Sequence, residues 1–384
     1  MIFDNAIGPH RPLSWVFQFW PVLVTSFFGS LAATWLCKKI AIKFGIVDRP
    51  DDLVKTHKEP VAYLGGIGML IGLTAGVLTG ILGLYNTSRL FSPTLEWLLG
   101  ILIGGTIACF VGLTDDIFNI RPRQKILGQV VAAVTLLVVG ITPNLYQTTN
   151  ALNLPLPPII ETVLEFLIVI FFVLGATNSL NLLDGLDGLC AGVTAIITVA
   201  MLLLSIHLAT WGTGEGADPV RIITCLGLVG GVMGFLPFNR PPAKIFMGDA
   251  GSMLLGFTVA ALMILFGKQF PRWWMASIVV FGLPILDTAV ALARRLINHR
   301  PLFVSDRGHI YDQMIDRGIP LKKTVAICYL LAAFYAIVGV VMSQIRTRYA
   351  AVVYFFVFLG SALIVWKKGY LKMEGLRGAI HKKD

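Results

Sequence analysis

The sequence predicts an all-α, polytopic integral membrane protein with about 11 transmembrane helices in a single domain, residues 1–384. Hydrophobic residues make up 56% of the chain and charged residues 14%, whereas a soluble domain carries about 25% charged residues. The mean hydropathy is +0.79, and the apolar residues form continuous blocks of roughly 20, the length that crosses ~30 Å of hydrocarbon. The blocks do not alternate with polar residues, which argues against membrane-spanning strands.

Eleven apolar blocks account for this prediction. They cover residues 16–37, 63–84, 97–113, 125–141, 160–177, 189–209, 220–236, 250–266, 274–293, 324–343 and 350–366. Because eleven is an odd number, the two termini are expected on opposite sides of the membrane.

Lysine and arginine are unequally divided between the segments that connect the blocks. Of the 31 Lys and Arg residues, 24 fall in one alternate set of segments and 7 in the other. The richer set comprises residues 38–62, 114–125, 178–188, 237–249, 294–323 and the basic tail 367–384. Positively charged loops stay in the cytoplasm, so we expect this set at the cytoplasmic face and the N-terminus outside. The asymmetry also explains the net charge of +10 without nucleic acid as a partner, which would need a concentrated basic, soluble surface.

The second block contains Gly68, Gly72, Gly76 and Gly80, spaced four residues apart. A ridge of small residues lets another helix approach closely. Packing within the monomer and the seam of a homodimer are both compatible with this pattern.

Adjacent carboxylates, Asp115 and Asp116, follow the third block. Carboxylates near lipid are costly unless they are paired, bound to cations or functional. Such a pair can share a metal ion, or one carboxyl can be held protonated by the charge of the other; a solvated helix end is the structural alternative. Lys125, at the start of the next block, could bind phosphate or serve only as a topological signal.

The most specific segment runs over residues 178–188. Asn178, Asn181, Asp184 and Asp187 recur every three positions, so on a helix they form a polar stripe with leucines on the other side. Amide and carboxylate oxygens in a row suit Mg²⁺ and sugar hydroxyls. The segment therefore predicts a metal or sugar site rather than an ordinary turn.

A second polar segment, residues 238–252, contains Asn239, Phe246 and Asp249 and leads into the eighth block. Small residues ahead of a helix N-terminus favour anionic ligands, because backbone N–H groups are exposed there. Asp249 is a candidate metal ligand, with a helix N-cap as the alternative. Phe246 could stack on a base or anchor the chain at the membrane.

Other candidates lie in the ninth block and in two predicted cytoplasmic loops. Asp287 is an intramembrane carboxylate, which is functional by default, with a structural ion pair as the alternative. Arg307 and His309 could clamp a diphosphate or sugar, and Lys55 and His57 could contact phosphate. Solvated loop residues are the alternative for these four.

Taken in this order, the motifs resemble those of the polyprenyl-phosphate N-acetylhexosamine-1-phosphate transferase family over about residues 45–315. The matching pieces are Lys55-x-His57, Asp115-Asp116, Asn178–Gly188, Asn239 through Gly251, Pro284–Thr288 and Arg307-x-His309. Each piece alone is weak, but the ordered set is specific.

The resemblance implies transfer of N-acetylhexosamine-1-phosphate from a UDP-sugar, with UDP-GlcNAc favoured, to undecaprenyl phosphate and release of UMP. This would be the first membrane step of cell-envelope polysaccharide synthesis, at the cytoplasmic face of the bacterial inner membrane. Direct attack and an aspartyl-phosphate intermediate both stay open. The resemblance also implies Mg²⁺, or Mn²⁺, held by Asn181 and Asp249.

The resemblance further implies a role for each candidate residue. Catalytic roles fall to Asp115, Asp116, Asp249 and His309. Substrate contacts fall to Lys55, His57, Lys125, Asn178, Asp184, Asp187, Asn239, Phe246, Asp287 and Arg307.

The last loop departs from the family pattern. Members that use a muramyl-pentapeptide donor carry a run of histidines there, and the related sugar branch typically has His-x-His-His. This chain has His309-Ile310-Tyr311-Asp312 instead. The change argues against a muramyl-pentapeptide substrate and leaves open whether Asp312 alters the sugar preference.

A secondary transporter that uses intramembrane carboxylates as proton or Na⁺ relays is the competing hypothesis. Such a protein would place polar residues near the midplane of broken helices, in two related halves. Here the carboxylates gather at one predicted face and no internal repeat is visible, which favours the transferase.

Overall fold

The structure is a computed structural model that describes residues 13–48, 60–86, 92–151, 154, 156–211, 217–268, 270–300 and 308–372. Three of the candidate site residues, Lys55, His57 and Arg307, lie outside the described residues.

Helices dominate the described part of the chain. In chain order they are α1 (Leu13–Gln18), α2 (Trp20–Phe44), α3 (Gly65–Asn86), α4 (Ser92–Phe118), α5 (Pro122–Val138), α6 (Leu145–Ala151), α7 (Pro158–Leu183), α8 (Leu189–Ala209), α9 (Ala217–Asn239), α10 (Gly248–Gly267), α11 (Pro271–Val280), α12 (Gly282–Ile297), α13 (Ile310–Asp316), α14 (Leu321–Met342) and α15 (Thr347–Lys367). The predicted all-α, multi-pass membrane architecture is confirmed.

The number of membrane crossings is nine to ten by helix length and composition within the described residues, against the expected eleven. The ninth apolar block forms not one helix but two, α11 and α12, which meet at an angle of 67°. The fourth block forms α5, whose 17 residues make a rod about 26 Å long. Because Gly128 packs on Val111 and Thr135 donates to the carbonyl of Gly100, α5 runs antiparallel along α4. A count of eleven therefore requires both the bent pair and this short helix to cross.

The centre of the bundle is α10, whose membrane-spanning stretch is completely buried. A helix that is apolar on all sides is expected at such a position. Its neighbours approach closely where side chains are small: Gly256 lies on the backbone of Thr177 in α7, and Gly112 of α4 lies on the backbone of Asp249. These contacts bring the ends of α4 and α7 against the start of α10.

The glycine ridge of α3 is buried inside the chain. Gly68 and Gly72 pack on Thr34 and Ser30 of α2, while Gly76 and Gly80 extend the contact to Ser26 of α2 and Ile223 of α9. A Cβ at any of the four would overlap these neighbours. The monomer-packing interpretation is confirmed, and the ridge is not available as a homodimer seam.

A small sheet caps one end of the bundle and was not expected from the sequence. It orders β1 (Val47–Asp48), β2 (Val61–Tyr63) and β3 (Ile245–Phe246), with β1 antiparallel and β3 parallel to β2. The pairing of Ala62 with Ile245 ties the segment before α3 to the segment before α10.

Candidate active site

The side-chain ammonium of Lys125 lies at the centre of the candidate site. The Nζ of Lys125, in the first turn of α5, is 2.9 Å from Oδ2 of Asp115 and 3.3 Å from Oδ1 of Asn181, and it also contacts Oδ2 of Asp249. These partners come from the last turn of α4, the end of α7 and the start of α10. The structure thus brings together three segments that the sequence singled out separately.

Asp116 differs from Asp115 in what it contacts. Its two carboxylate oxygens accept hydrogen bonds from the backbone N–H groups of Asp249, at 2.9 Å, and Ala250, at 3.1 Å. These N–H groups are among those that a helix start leaves without intrahelical partners, so Asp116 caps α10 from a neighbouring helix. Gly248 has φ +67° and lies against the Asp116 carboxylate, where a Cβ would overlap. Asp116 therefore fixes the position of Asp249.

Asn181 and Asp249 form a second set of bonds. Nδ2 of Asn181 donates to Oδ1 of Asp249 at 2.7 Å and to Oγ of Ser252 at 3.0 Å. One turn earlier in α7, Asn178 donates to Oε1 of Gln129 at 3.1 Å, and Gln129 is fully buried. Asn178 thus joins α7 to α5 beside the site.

Asp184, just past the end of α7, has a carboxyl group with a raised pKa. Burial raises the pKa of its carboxyl well above the ordinary value, and repulsion from Asp249, Asp116 and Asp187 raises it further. The site thus holds more carboxylates than Lys125 alone can neutralise.

Asp187 and Asn239 hold the polar loops in place. Oδ2 of Asp187 accepts from the backbone N–H of Ala243 at 2.8 Å. The side chain of Asn239, 2% exposed, accepts from the N–H of Gly188 and donates to the carbonyl of Ile245, both at 3.1 Å. Asn239 therefore acts on the shape of the site through these two backbone groups.

Phe246 stands at the edge of the site on β3. Its ring meets that of Tyr63 on β2 edge to face, with centroids 6.0 Å apart. Burial raises the pKa of the Tyr63 hydroxyl, as do the nearby charges of Asp116 and Asp184. The small sheet thus places an aromatic pair beside the carboxylates.

Asp287 and His309 form a buried pair where α12 meets the start of α13. Nδ1 of His309 lies 2.7 Å from Oδ2 of Asp287, whose other oxygen accepts the N–H of Ile310 at 2.7 Å. The ring of Tyr311 stacks on that of His309, and its hydroxyl donates to the carbonyl of Leu182 at 2.8 Å. Asp287 therefore orients His309, and Tyr311 links this loop to the end of α7.

Comparison with known proteins agrees with this arrangement. The glycosyl transferase family 4 model matches residues 98–267, which contain the Asp115, Lys125, Asn181 and Asp249 cluster. A probable undecaprenyl-phosphate N-acetylglucosaminyl 1-phosphate transferase of Bacillus subtilis (strain 168) is 29% identical over 92% of this chain and 91% of its own length.

Residues 98–267 of the chain are thus similar to glycosyl transferase family 4. Two more relatives extend the likeness. An undecaprenyl-phosphate alpha-N-acetylglucosaminyl 1-phosphate transferase of Salmonella typhi is 28% identical over 83% of this chain and 82% of its own. A decaprenyl-phosphate N-acetylglucosaminephosphotransferase of Mycolicibacterium smegmatis is 28% identical over 79% and 77%. The resemblance inferred from the motifs is confirmed.

Four residues contribute to the site without having been among the predicted site residues. They are Tyr63, Gln129, Ser252 and Tyr311. Two of them had a signal in the sequence: Gln129 follows Lys125 by one helical turn, and Ser252 follows Asp249 by three residues, so each shares a helix face with a predicted residue. Tyr63 and Tyr311 enter through long-range pairing, which has no local signal.

A divalent cation suits the chemistry of this site. The donors available from Asp115, Asp249 and Asn181 are carboxylate and amide oxygens, which Mg²⁺ prefers. Burial is the main cause of the raised pKa of Asp184, and repulsion from Asp249, Asp116 and Asp187 adds to it; a cation would relieve this repulsion. Among the described residues no three His, Cys, Asp or Glu side chains are already gathered as a ligand set. The fit therefore rests on donor type and charge.

Proposed function

We propose that the protein transfers N-acetylglucosamine-1-phosphate from UDP-N-acetylglucosamine to undecaprenyl phosphate. An oxygen of the lipid phosphate bonds to the sugar-bearing phosphorus, and the bond from that phosphorus to the UMP oxygen breaks. The products are polyprenyl-diphospho-N-acetylglucosamine and UMP. In this proposal the reaction takes place at the cytoplasmic face of a bacterial inner membrane and begins the synthesis of a cell-envelope polysaccharide.

The observation that carries the proposal is the meeting of Lys125 with Asp115, Asn181 and Asp249 at one end of the bundle. Two phosphate-bearing substrates repel each other, so a site for them needs fixed positive charge and preorganised polar groups. The names of the three relatives supply the sugar and the class of lipid, and the altered His309-Ile310-Tyr311-Asp312 loop argues against a muramyl-pentapeptide donor.

Asp115 and Lys125 are the residues assigned to the lipid phosphate. Both oxygens of Asp116 are occupied by the start of α10, whereas Asp115 faces the Lys125 ammonium. Asp115 is therefore the carboxylate that can accept the proton of the incoming phosphate. Lys125 can pair with phosphate oxygens as charge shifts toward the leaving UMP.

Mg²⁺ or Mn²⁺ is the proposed cofactor, held by Asp249 and Asn181. When bound, it would neutralise diphosphate charge and favour departure of UMP. Asp116 would serve this pair from outside, because it fixes the backbone of Asp249.

The nucleoside and sugar are assigned to the rim of the site. Phe246, beside Tyr63, offers an aromatic face for the base, and Asp187 and Asn239 shape the adjoining loops. His309, oriented by Asp287, is assigned to the diphosphate or sugar. Asn178 and Asp184 are assigned to the same part of the site. Roles for Lys55, His57 and Arg307 stay predictions from the sequence.

The transporter alternative has no support from the comparisons, all of which name transferases. The carboxylates nearest Lys125, Asp115 and Asp249, also lie at helix ends rather than at the middle of the spans, where a relay would need them.

A donor screen tests the proposed sugar. Purified protein in detergent with undecaprenyl phosphate and Mg²⁺ is given UDP-N-acetylglucosamine, UDP-N-acetylgalactosamine or UDP-glucose, and UMP release is followed. We expect the first donor to be preferred. Equal or greater turnover of another donor would replace the sugar assignment, and absence of turnover with all three would remove the transferase proposal.

A further inference from the structure

The last described residues of the chain pack against the loop that carries His309. Helix α15 ends at Lys367. Gly369, two residues further on, has φ +70°, and the N–H of Tyr370 bonds back to the carbonyl of Val365 at 3.1 Å. This reversal turns residues 368–372, which we call the C-terminal turn, away from the axis of α15 and toward α12 and α13.

Two side-chain amides bind the backbone of the C-terminal turn. Nε2 of Gln313 donates to the carbonyl of Tyr370 at 2.9 Å, and Nδ2 of Asn298 donates to the carbonyl of Leu371 at 3.1 Å. The guanidinium of Arg317 lies 4.2 Å from the centre of the Tyr370 ring, a cation–π contact. Beneath these polar contacts, Val365 packs with Ile310 and Met314 of α13 in a small apolar cluster.

Gln313 connects the C-terminal turn directly to the residue before His309. The same Nε2 that reaches Tyr370 also donates to the carbonyl of Gly308 at 2.9 Å, and Gln313 is 1% exposed. Arg294 of α12 donates to that carbonyl as well, so closely that Gly308 has no room for a Cβ. His309 follows at once and is held from inside by Asp287 at 2.7 Å. His309 thus contacts Asp287 directly, and Gln313 links the residue before it to the C-terminal turn.

We propose that the C-terminal turn is a positioning element for His309. Its two carbonyls hold Gln313 and Asn298, and Gln313 in turn fixes the carbonyl of Gly308, so loss of the turn frees the start of α13. This inference rests on the proposed function for its kinetic consequence, but the contacts themselves do not depend on it. The apolar contacts of Val365 with α13 stay when the turn is removed, whereas the packing of Tyr370 and Leu371 on the same cluster is lost with the turn.

A matched pair of truncations tests the positioning role. The variant that ends at Lys367, called the shorter truncation because its chain is shorter, lacks the C-terminal turn. The variant that ends at Lys372, called the longer truncation, keeps the turn and loses only residues 373–384. With UDP-N-acetylglucosamine and undecaprenyl phosphate, we expect the shorter truncation to show a kcat about tenfold lower, the effect that one to two hydrogen bonds have on an equilibrium. The longer truncation should match the full chain. In a His309→Ala background the two truncations should be equal, because the turn acts through His309.

Hydrogen exchange separates this inference from the proposed function. The shorter truncation should exchange amide hydrogens in residues 308–316 faster than the longer one, whether or not the protein is a transferase. Gln313→Met, which removes the bridging amide, should reproduce the faster exchange. Unchanged exchange in the shorter truncation would overturn the positioning role. So would equal kcat values for the two truncations, or a further loss on shortening the His309→Ala variant. An inactive full chain with the predicted exchange difference would reject the function alone.

Discussion

Asp116 gives the sharpest prediction, because its proposed role differs from that of its neighbour Asp115. Both oxygens of Asp116 accept backbone N–H groups at the start of α10, at 2.9 and 3.1 Å. Asparagine at this position keeps one acceptor and turns an NH₂ group toward the second N–H. Alanine removes both acceptors. The two substitutions should therefore form a graded series.

The size of each step follows from the bonds that are lost. A hydrogen bond to a charged group contributes about 1.5–3 kcal/mol, so Asp116→Asn should weaken the hold on Asp249 by roughly that amount and Asp116→Ala by about twice as much. Since each 1.36 kcal/mol corresponds to about tenfold in rate, Asp116→Asn should lower kcat roughly 10- to 150-fold if Asp249 must keep its place in the transition state.

The assay is UMP release by purified variants, with thermal unfolding followed in the same detergent. Asp116→Ala should unfold at a lower temperature than Asp116→Asn, and both below wild type. Asp115→Asn is the contrasting variant: it should lower kcat with little loss of thermal stability, since it faces the Lys125 ammonium rather than the backbone at the start of α10. The capping role of Asp116 is wrong if Asp116→Ala unfolds at the wild-type temperature, or if Asp115→Asn is the less stable of the two asparagine variants.

Three further predictions concern Lys125, Asp184 and Gly72. Lys125→Met should lower kcat about 100-fold yet tighten Mg²⁺ binding, because it removes the ammonium among the carboxylates; weaker Mg²⁺ binding, measured by calorimetry, would contradict this. The pKa of Asp184 is higher in the folded protein than in the unfolded chain, so ionisation of Asp184 opposes folding above the unfolded pKa of about 3.9. Asp184→Asn should therefore raise the unfolding temperature, and the gain should grow as pH rises above about 4. The gain should be smaller when Mg²⁺ is present. A gain that is the same at pH 4 and pH 8 would reject this assignment. Gly72→Val should lower the free energy of unfolding by about 1–3 kcal/mol or more, because α2 leaves no room for the side chain. The control Gly175→Ala should leave stability unchanged, because the space around Gly175 is open. Equal unfolding temperatures for the two variants would argue against the packed ridge.

Much of the fold was predictable because hydrophobic length is a strong local signal. The apolar blocks correspond to helices in the described residues, and α10 is apolar on every side, as its central position requires. The break between α11 and α12 was missed, although Gly282 and Pro284 stand at it and a proline removes a helix hydrogen bond. The three short strands were missed as well, because two- and three-residue strands have no periodicity, and the pairing of β2 with β3 joins residues 183 positions apart.

The candidate site was predictable in composition but not in connections. Carboxylates near lipid are unusual enough to single out Asp115, Asp116, Asp184 and Asp249. Sequence spacing cannot tell that Asp116 caps α10 whereas Asp115 meets Lys125, because the difference depends on how α4 crosses α10. The Asp287–His309 pair likewise joins two elements whose contact appears only in the folded chain.

The proposed role of Asp249 is tested most directly by single-turnover formation of undecaprenyl-diphospho-N-acetylglucosamine by wild type and Asp249→Asn across a Mg²⁺ titration. Asp249→Asn keeps an oxygen for Asn181 but loses the charge that contacts Lys125, so it should retain the fold. We predict Mg²⁺-dependent product with wild type, and with Asp249→Asn a rate lower by about 100- to 1,000-fold and a weaker response to Mg²⁺. A wild-type rate from Asp249→Asn at every Mg²⁺ concentration would contradict the central claim that Asp249 anchors the reaction.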